Sequence, residues 1–172
     1  MSTLQAEAEH AWRTSVVRDF AASELFDRTF QEGMALVEET AAYLDGAGRH
    51  ESKQLARKAA LAYASESMRL TTRLMQVASW LLVQRAVREG EIDPGEACQP
   101  RYRLGAEAVC RQDAPPSEDL PEGLLALLAQ SERLYERVMH LDRRMFVEGP
   151  AEETPNPVLS QLEKLQAAFG AA

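Results

Sequence analysis

Few residues of this chain could perform acid–base or metal chemistry, and their spacing is unfavourable. The histidines are His10, His50 and His140. His10 follows Glu7 at the Glu-x-x-His spacing, but a di-iron helical bundle needs that step twice, together with two further inward-facing glutamates. Glu136 and His140 lie one helical turn apart without a third ligand, which is more typical of a surface pair than of a metal site. The sequence therefore predicts no catalytic residue, no metal and no cofactor.

The strongest candidate for binding is a polar stripe along one long helix, because arginine and tryptophan dominate interface energetics. Its members, at helical spacing, are the predicted partner-binding residues Arg69, Arg73, Gln76 and Trp80. The alternative is a solvated face on which Glu66 pairs with an arginine while Trp80 lies over the following connector.

Charge and cysteine content restrict the functional class. The net charge of −8 disfavours nucleic acid as a partner. Residues 24–45 carry −5 and residues 49–73 carry +4, so an antiparallel helix pair would bring opposite charges together; the alternative for the basic stretch is a polyanion site. Cys98 and Cys110 without a signal peptide indicate a reducing cytoplasm. The longest apolar run, residues 77–83, is too short to span a bilayer.

Hydrophobic periodicity predicts three helices. The first begins after Ser23, whose hydroxyl can cap it, and ends at Gly46 and Gly48. The second covers residues 51–89, about 57 Å of helix. The third covers residues 120–147. In the connector, residues 93–96 predict one short helical turn with Asp93 as its cap and a proline at its first position.

The second helix carries two neighbouring apolar seams, which form a wider band than one buried face requires. One consists of Leu61, Ala64, Met68, Thr71, Met75, Ala78 and Leu82, and the other of Tyr63, Ser67, Leu70, Leu74, Val77 and Leu81. We expect one seam to pack within the chain and the other on a second copy. The predicted dimer interface consists of Met68, Leu70, Leu74, Met75 and Leu81.

Both ends of the chain are less clearly patterned. Residues 1–22 form an arm that is expected to be partly helical, because Trp12, Val16 and Phe20 recur every four residues. Residues 149–172 form a flexible tail with a short amphipathic segment, which docks either on a partner or on the bundle itself. The predicted partner-binding residues of this segment are Val158, Leu162, Leu165 and Phe169. The final two alanines match the endings that bacterial unfoldases grip, or arise by chance.

Together these elements predict an all-α fold. Residues 23–148 form an antiparallel three-helix bundle with one long central helix, and the bundle is dimeric. The arm precedes it and the tail follows it.

Four strings of sequence resemble one known family. They are GMALVEETAAYLDG at 33–46, AYASESMRLTTRLMQVASWLLVQRA at 62–86, RYRLG at 101–105 and LDRRM at 141–145. They are similar to the family named for the regulator of CtrA degradation in alphaproteobacteria. The resemblance implies a dimeric three-helix bundle that acts as an adaptor of the ClpXP protease. It also implies three partners, namely a single-domain response regulator, a cyclic-di-GMP-binding protein and protein cargo delivered with the help of the tail.

The residues and the resemblance together predict a non-enzymatic, cytoplasmic adaptor that helps to deliver cell-cycle regulators to ClpXP. The alternative is a dimeric helical regulatory or DNA-associated interaction protein without a role in proteolysis. The acidic charge counts against DNA, and a salt-dependent shift on DNA would favour this alternative.

Overall fold

The computed structural model describes residues 3–112 and 114–149, and the regular structure of this part is entirely helical. Its α helices are α1 (Thr3–Ala21), α2 (Glu24–Asp45), α3 (Ala47–Ser52), α4 (Arg57–Arg88), α5 (Pro94–Ala97), α6 (Glu107–Cys110) and α7 (Glu122–Phe146). A single 3-10 turn, Pro100–Tyr102, lies between α5 and α6. The tail segment with Val158, Leu162, Leu165 and Phe169 lies outside the described residues.

Local sequence signals explain both ends of α2. The Ser23 side chain accepts a hydrogen bond from the Phe26 backbone N–H at 3.2 Å, and acidic residues occupy the first turn. The prediction of Ser23 as the cap is therefore confirmed. Gly46 ends the helix as predicted. Gly48 does not, because it lies inside α3 and is buried there.

The central helix α4 is shorter than predicted. It spans 32 residues, about 48 Å, and begins at Arg57 instead of residue 51. The chain folds into α3 and a turn first, since Gly48 fits against two tyrosine rings where a Cβ would lie 2.6 Å from Tyr43 Cε1 and from the Tyr63 hydroxyl oxygen. Ala56 then takes an extended conformation and starts the new helix.

The connector and α7 follow the sequence closely. Asp93 accepts a hydrogen bond from the Gly95 backbone N–H at 2.8 Å and caps α5, with Pro94 at the first helical position. The predicted short turn is thus confirmed. The third predicted helix is α7, whose observed bounds lie within two residues of the expected ones.

Helix directions differ from a simple antiparallel bundle. Glu32 of α2 pairs with Arg137, and Tyr43 lies against Gly123, so α2 and α7 are antiparallel. Contacts of α4 advance along α7 in the same direction, from Arg73 with Ser131 to Trp80 with Asp142. Consequently α4 and α7 run parallel, because the connector returns along the bundle between them.

A fourth long helix, α1, completes the fold. It packs against α4, α5 and α7, and buries Val17, Phe20 and Ala21. The Phe20 and Trp80 rings lie 5.7 Å apart between centroids. The residues of the predicted arm form one continuous helix, which the predicted three-helix bundle does not include. No helix of the described chain is long and apolar enough to cross a membrane.

Candidate interaction surface

One apolar seam of α4 is buried and the other is exposed to solvent. The seam with Leu70, Leu74, Val77 and Leu81 is buried against other helices of the chain. In the other seam the large side chains remain in solvent, with exposed fractions of 66% for Leu61, 72% for Met68, 63% for Met75 and 50% for Leu82. Exposed apolar residues aligned along one helix are typical of a protein interaction site. We call these four residues with the adjoining groove the apolar face.

The adjoining groove runs between α2 and α4. It has a volume of about 340 Å³, and its lining is almost entirely apolar. Val37, Ala41 and Leu44 line it from α2, and Leu74, Met75 and Ala78 line it from α4. Thr40, Thr71 and Asp45 complete the lining. The groove therefore extends the exposed seam sideways onto the neighbouring helix.

The predicted dimer interface is split by this arrangement. Met68 and Met75 lie on the apolar face. Leu70 and Leu81 were predicted on the same interface but are buried within the chain, so the prediction that they contact a second copy is wrong. Leu74 is also largely buried, but it is one of the residues that line the groove. Leu81, for example, packs so closely on α2 that a Cβ at Gly33 would lie 2.7 Å from its Cδ1.

Arg73, a predicted partner-binding residue, is completely buried. Its Nε and Nη2 donate to the Cys110 carbonyl oxygen at 2.9 and 2.7 Å. Its Nη1 donates to the Leu128 carbonyl oxygen at 3.2 Å and to the Ser131 hydroxyl at 2.8 Å. Burial lowers the pKa of Arg73, but a guanidinium keeps its proton. These bonds join α4 to the connector and to α7.

Trp80, another predicted partner-binding residue, is also inside the chain. Its indole Nε1 donates to Asp142 Oδ1 at 3.0 Å. The same buried carboxylate accepts from Arg103 Nε at 2.9 Å and from the Leu104 backbone N–H at 3.3 Å. The expectation that Arg73 and Trp80 present a surface to a partner is therefore corrected, because both bond to their own chain.

The other two residues of the stripe hold the connector as well. Arg69 donates to the carbonyl oxygens of Val109 at 3.0 Å and Arg111 at 2.7 Å. Gln76 accepts from the Gly105 backbone N–H at 3.1 Å. A carboxylate oxygen of Glu66 lies 3.3 Å from Arg69 Nε, so the pairing of Glu66 with an arginine is as the solvated-face alternative expected. The face is not solvated, however, because the connector lies over it. Sequence reasoning missed the buried partners Asp142 and Ser131, because the neighbouring residues in the sequence do not indicate which distant residues they contact.

The described residues contain no group of histidine, cysteine, aspartate and glutamate side chains that could hold a metal ion. Both thiols are free. Burial is the main cause that raises the pKa of Cys98 and of Cys110 above 9.0. Burial also raises the pKa of Tyr135 to about 12. These shifts favour the neutral forms, which suits packing more than reactivity.

Comparison with known proteins places the chain in a family. Residues 17–169 match the model of the family described as "Protein of unknown function (DUF1465)". The chain belongs to this family. A crystal structure of RcdA from Caulobacter crescentus CB15 is 70% identical in sequence, and the match covers 76% of this chain and 98% of that chain with a TM-score of 0.63. The RcdA-like resemblance of the sequence is thus confirmed. No curated protein matches the sequence.

Proposed function

We propose that this protein is a non-enzymatic, cytoplasmic adaptor that helps to deliver cell-cycle regulators to the ClpXP protease. The observation that carries the proposal is the 70% identity to RcdA over 98% of that chain. The apolar face supports it, because an adaptor needs a protein-binding surface. The partners follow the same resemblance, namely a response regulator, a cyclic-di-GMP-binding protein and protein cargo.

The spacing of the apolar face favours a second copy as one of its occupants. Leu61, Met68, Met75 and Leu82 recur every seven residues, and Ala64, Thr71 and Ala78 lie three residues after the first three of them. This is the heptad pattern of a helix-packing seam. Large side chains at one position and small ones at the other interdigitate well when two such helices cross. We therefore infer a homodimer through α4, which needs an interface of ~2,000 Å² or more if it is obligate.

The dimer is tested by a charge on the apolar face. Met75→Asp suits this test, because Met75 is 63% exposed in the single chain and the protomer still folds. Leu74→Asp does not, since Leu74 is buried and its loss confounds folding with assembly. We expect sedimentation to show a dimer for the native chain at tens of micromolar and a monomer for Met75→Asp. Gln130→Asp, at an exposed position of α7, is the matched control and stays dimeric. A monomeric native chain contradicts the dimer.

The adaptor role is tested in Caulobacter cells that lack RcdA. This chain should restore the cell-cycle-dependent loss of CtrA, measured as its half-life in synchronised cells. The Gln130→Asp control should restore it equally. A chain that accumulates to normal levels, folds and leaves CtrA stable contradicts the proposal.

A further inference from the structure

The turn between α3 and α4 gathers exposed positive charge. Lys53 lies four residues after Arg49, and Arg57 and Lys58 are the first two residues of α4. All four side chains are exposed. Within residues 49–58 the only acidic residue is Glu51, and its carboxylate accepts a hydrogen bond from the Tyr43 hydroxyl at 2.9 Å. We call residues 49–58 the cationic corner. It stands out on a protein whose net charge is −8.

The basic side chains of the cationic corner have acidic neighbours but no salt-bridge partner among the described residues. Arg49, Lys53, Arg57 and Lys58 form no ion pair within the described residues. The sequence led us to expect pairing with the acidic residues of α2. Instead those acids bond elsewhere, Asp27 with Arg88 and Glu32 with Arg137, or face solvent, as Glu38 does.

The fold holds these like charges together. The turn is closed by backbone hydrogen bonds from Gln54 N–H to the Glu51 carbonyl at 3.1 Å and from Leu55 N–H to the Ser52 carbonyl at 3.4 Å. The first turn of α4 contains no acidic residue, and its cap, Ala56, offers no side-chain bond. The positive end of the α4 dipole therefore adds to the side-chain charges instead of opposing them.

We propose that the cationic corner binds a short acidic segment of another polypeptide. An extended segment of five or six residues spans ~17–20 Å. This length is comparable to that of the cationic corner, which consists of the last turn of α3, a loop and the first turn of α4. A long polyanion fits less well, because the exposed acids Asp119 and Glu122 lie beside the corner and the molecule as a whole is acidic. This inference does not depend on the proposed adaptor role.

The acidic pair nearest the end of the described chain cannot supply this segment from within the same molecule. α7 begins beside the corner, where Gly123 and Leu55 line one surface, and runs away from it for 25 residues, about 37 Å. Glu152 and Glu153 follow Phe146 by at most seven residues, a reach of ~25 Å. Glu152 and Glu153 of the same molecule are therefore excluded as this segment.

The test uses a fluorescent ten-residue polyglutamate peptide and anisotropy at about 25 to about 200 mM salt. The corner variant is Lys53→Gln/Arg57→Gln/Lys58→Gln. The control is Arg18→Gln/Arg133→Gln/Arg144→Gln, which changes the net charge equally at exposed positions elsewhere. We expect salt-sensitive binding by the native chain and the control, and about a tenfold weaker affinity for the corner variant, since three charge contacts are lost.

Several results overturn the inference. One is no binding by the native chain at the lowest salt, and another is an equal loss of affinity in both triple variants, which reveals non-specific attraction. A short DNA duplex that binds more tightly than the peptide assigns the corner to nucleic acid. If the corner variant sediments as a smaller species than the control, the corner belongs to contacts between copies of this chain.

Discussion

At the scale of single residues, Arg73 shows how a charged side chain can replace apolar packing. A buried guanidinium is stable only when its donors are satisfied. Here the acceptors are two backbone carbonyl oxygens and one hydroxyl, from Cys110, Leu128 and Ser131. The part of the connector around Cys110 is therefore attached to α4 by two hydrogen bonds from one side chain.

Replacing Arg73 by methionine tests that attachment. Met fills much of the volume but donates nothing, so the Cys110 carbonyl loses both of its bonds from Arg73. We expect the free energy of unfolding to fall by about 2–4 kcal/mol, measured by urea denaturation. Hydrogen exchange of residues 106–112 should rise as well. Arg133→Met, on an exposed position of α7, should change stability by less than ~0.5 kcal/mol. Equal effects of both variants contradict the assigned role.

The buried thiols predict a loss of stability at alkaline pH. In the folded chain the pKa of Cys110 is raised above 9.0, mainly by burial, although Arg73 and Tyr135 oppose the shift. The unfolded chain then releases the thiol proton first, so unfolding becomes easier as pH rises from about 9. Denaturant titrations at pH 7.5–10.5 should show this decline. Cys110→Ala should reduce its slope, while an unchanged slope contradicts a contribution from this thiol.

At the scale of elements, two glycines allow α2, α3 and α7 to meet at one ring. The ring of Tyr43 lies between Gly48 of α3 and Gly123 of α7. A Cβ at Gly123 would lie 2.5 Å from Tyr43 Cε2 and 3.1 Å from its Cζ. The close approach of α7 to α2 therefore requires a residue without a side chain at this position.

Gly123→Ala tests this close approach. Inside a helix the substitution normally gains ~0.5–1 kcal/mol, but here we expect a loss of about 1–3 kcal/mol because the Tyr43 ring must move. Thermal and urea unfolding would measure the difference. In a Tyr43→Ala background the same substitution should no longer cost stability. A cost that is the same in both backgrounds places the strain elsewhere.

The elements themselves were largely predictable. The caps at Ser23 and Asp93 and the stop at Gly46 depend on neighbouring residues, and each was read correctly. The break between α3 and α4 was not, because helical periodicity continues through residues 51–56 and the reason to stop is tertiary, namely the fit of Gly48 against Tyr43 and Tyr63. The parallel course of α4 and α7 likewise depends on where a long connector lies.

The candidate surface was predictable only in part, for a related reason. A double apolar seam shows that α4 has more apolar surface than one neighbour can bury, but not which seam stays exposed. The polar stripe was open to two interpretations, and neither anticipated that Arg69, Arg73 and Gln76 would bond to the backbone of the connector. Polar groups whose partners are distant in sequence carry no local signal of burial.

At the scale of the whole molecule, the described residues already close a core. Side chains of α1, α2, α4 and α7 are buried together, among them Val17, Phe26, Leu70 and Leu134. The large apolar residues that stay exposed on α4 lie on the apolar face.

Removal of residues 151–172 separates the two interpretations of the tail. If Val158, Leu162, Leu165 and Phe169 act on a partner, the melting temperature should stay almost unchanged while restoration of CtrA loss disappears in Caulobacter cells that lack RcdA. We expect this result, because the described helices bury a core among themselves. If the segment docked on the bundle, its apolar residues would contribute up to ~1.5–3 kcal/mol each before entropy, and the truncated chain would melt at a lower temperature. A full-length variant with Leu162→Ser and Leu165→Ser is the matched control, since it keeps the linker and the chain end but loses the apolar stripe. Equal stability and equal delivery by the native chain, the truncated chain and the double variant would contradict both interpretations. Delivery would then depend on the apolar face and not on the tail.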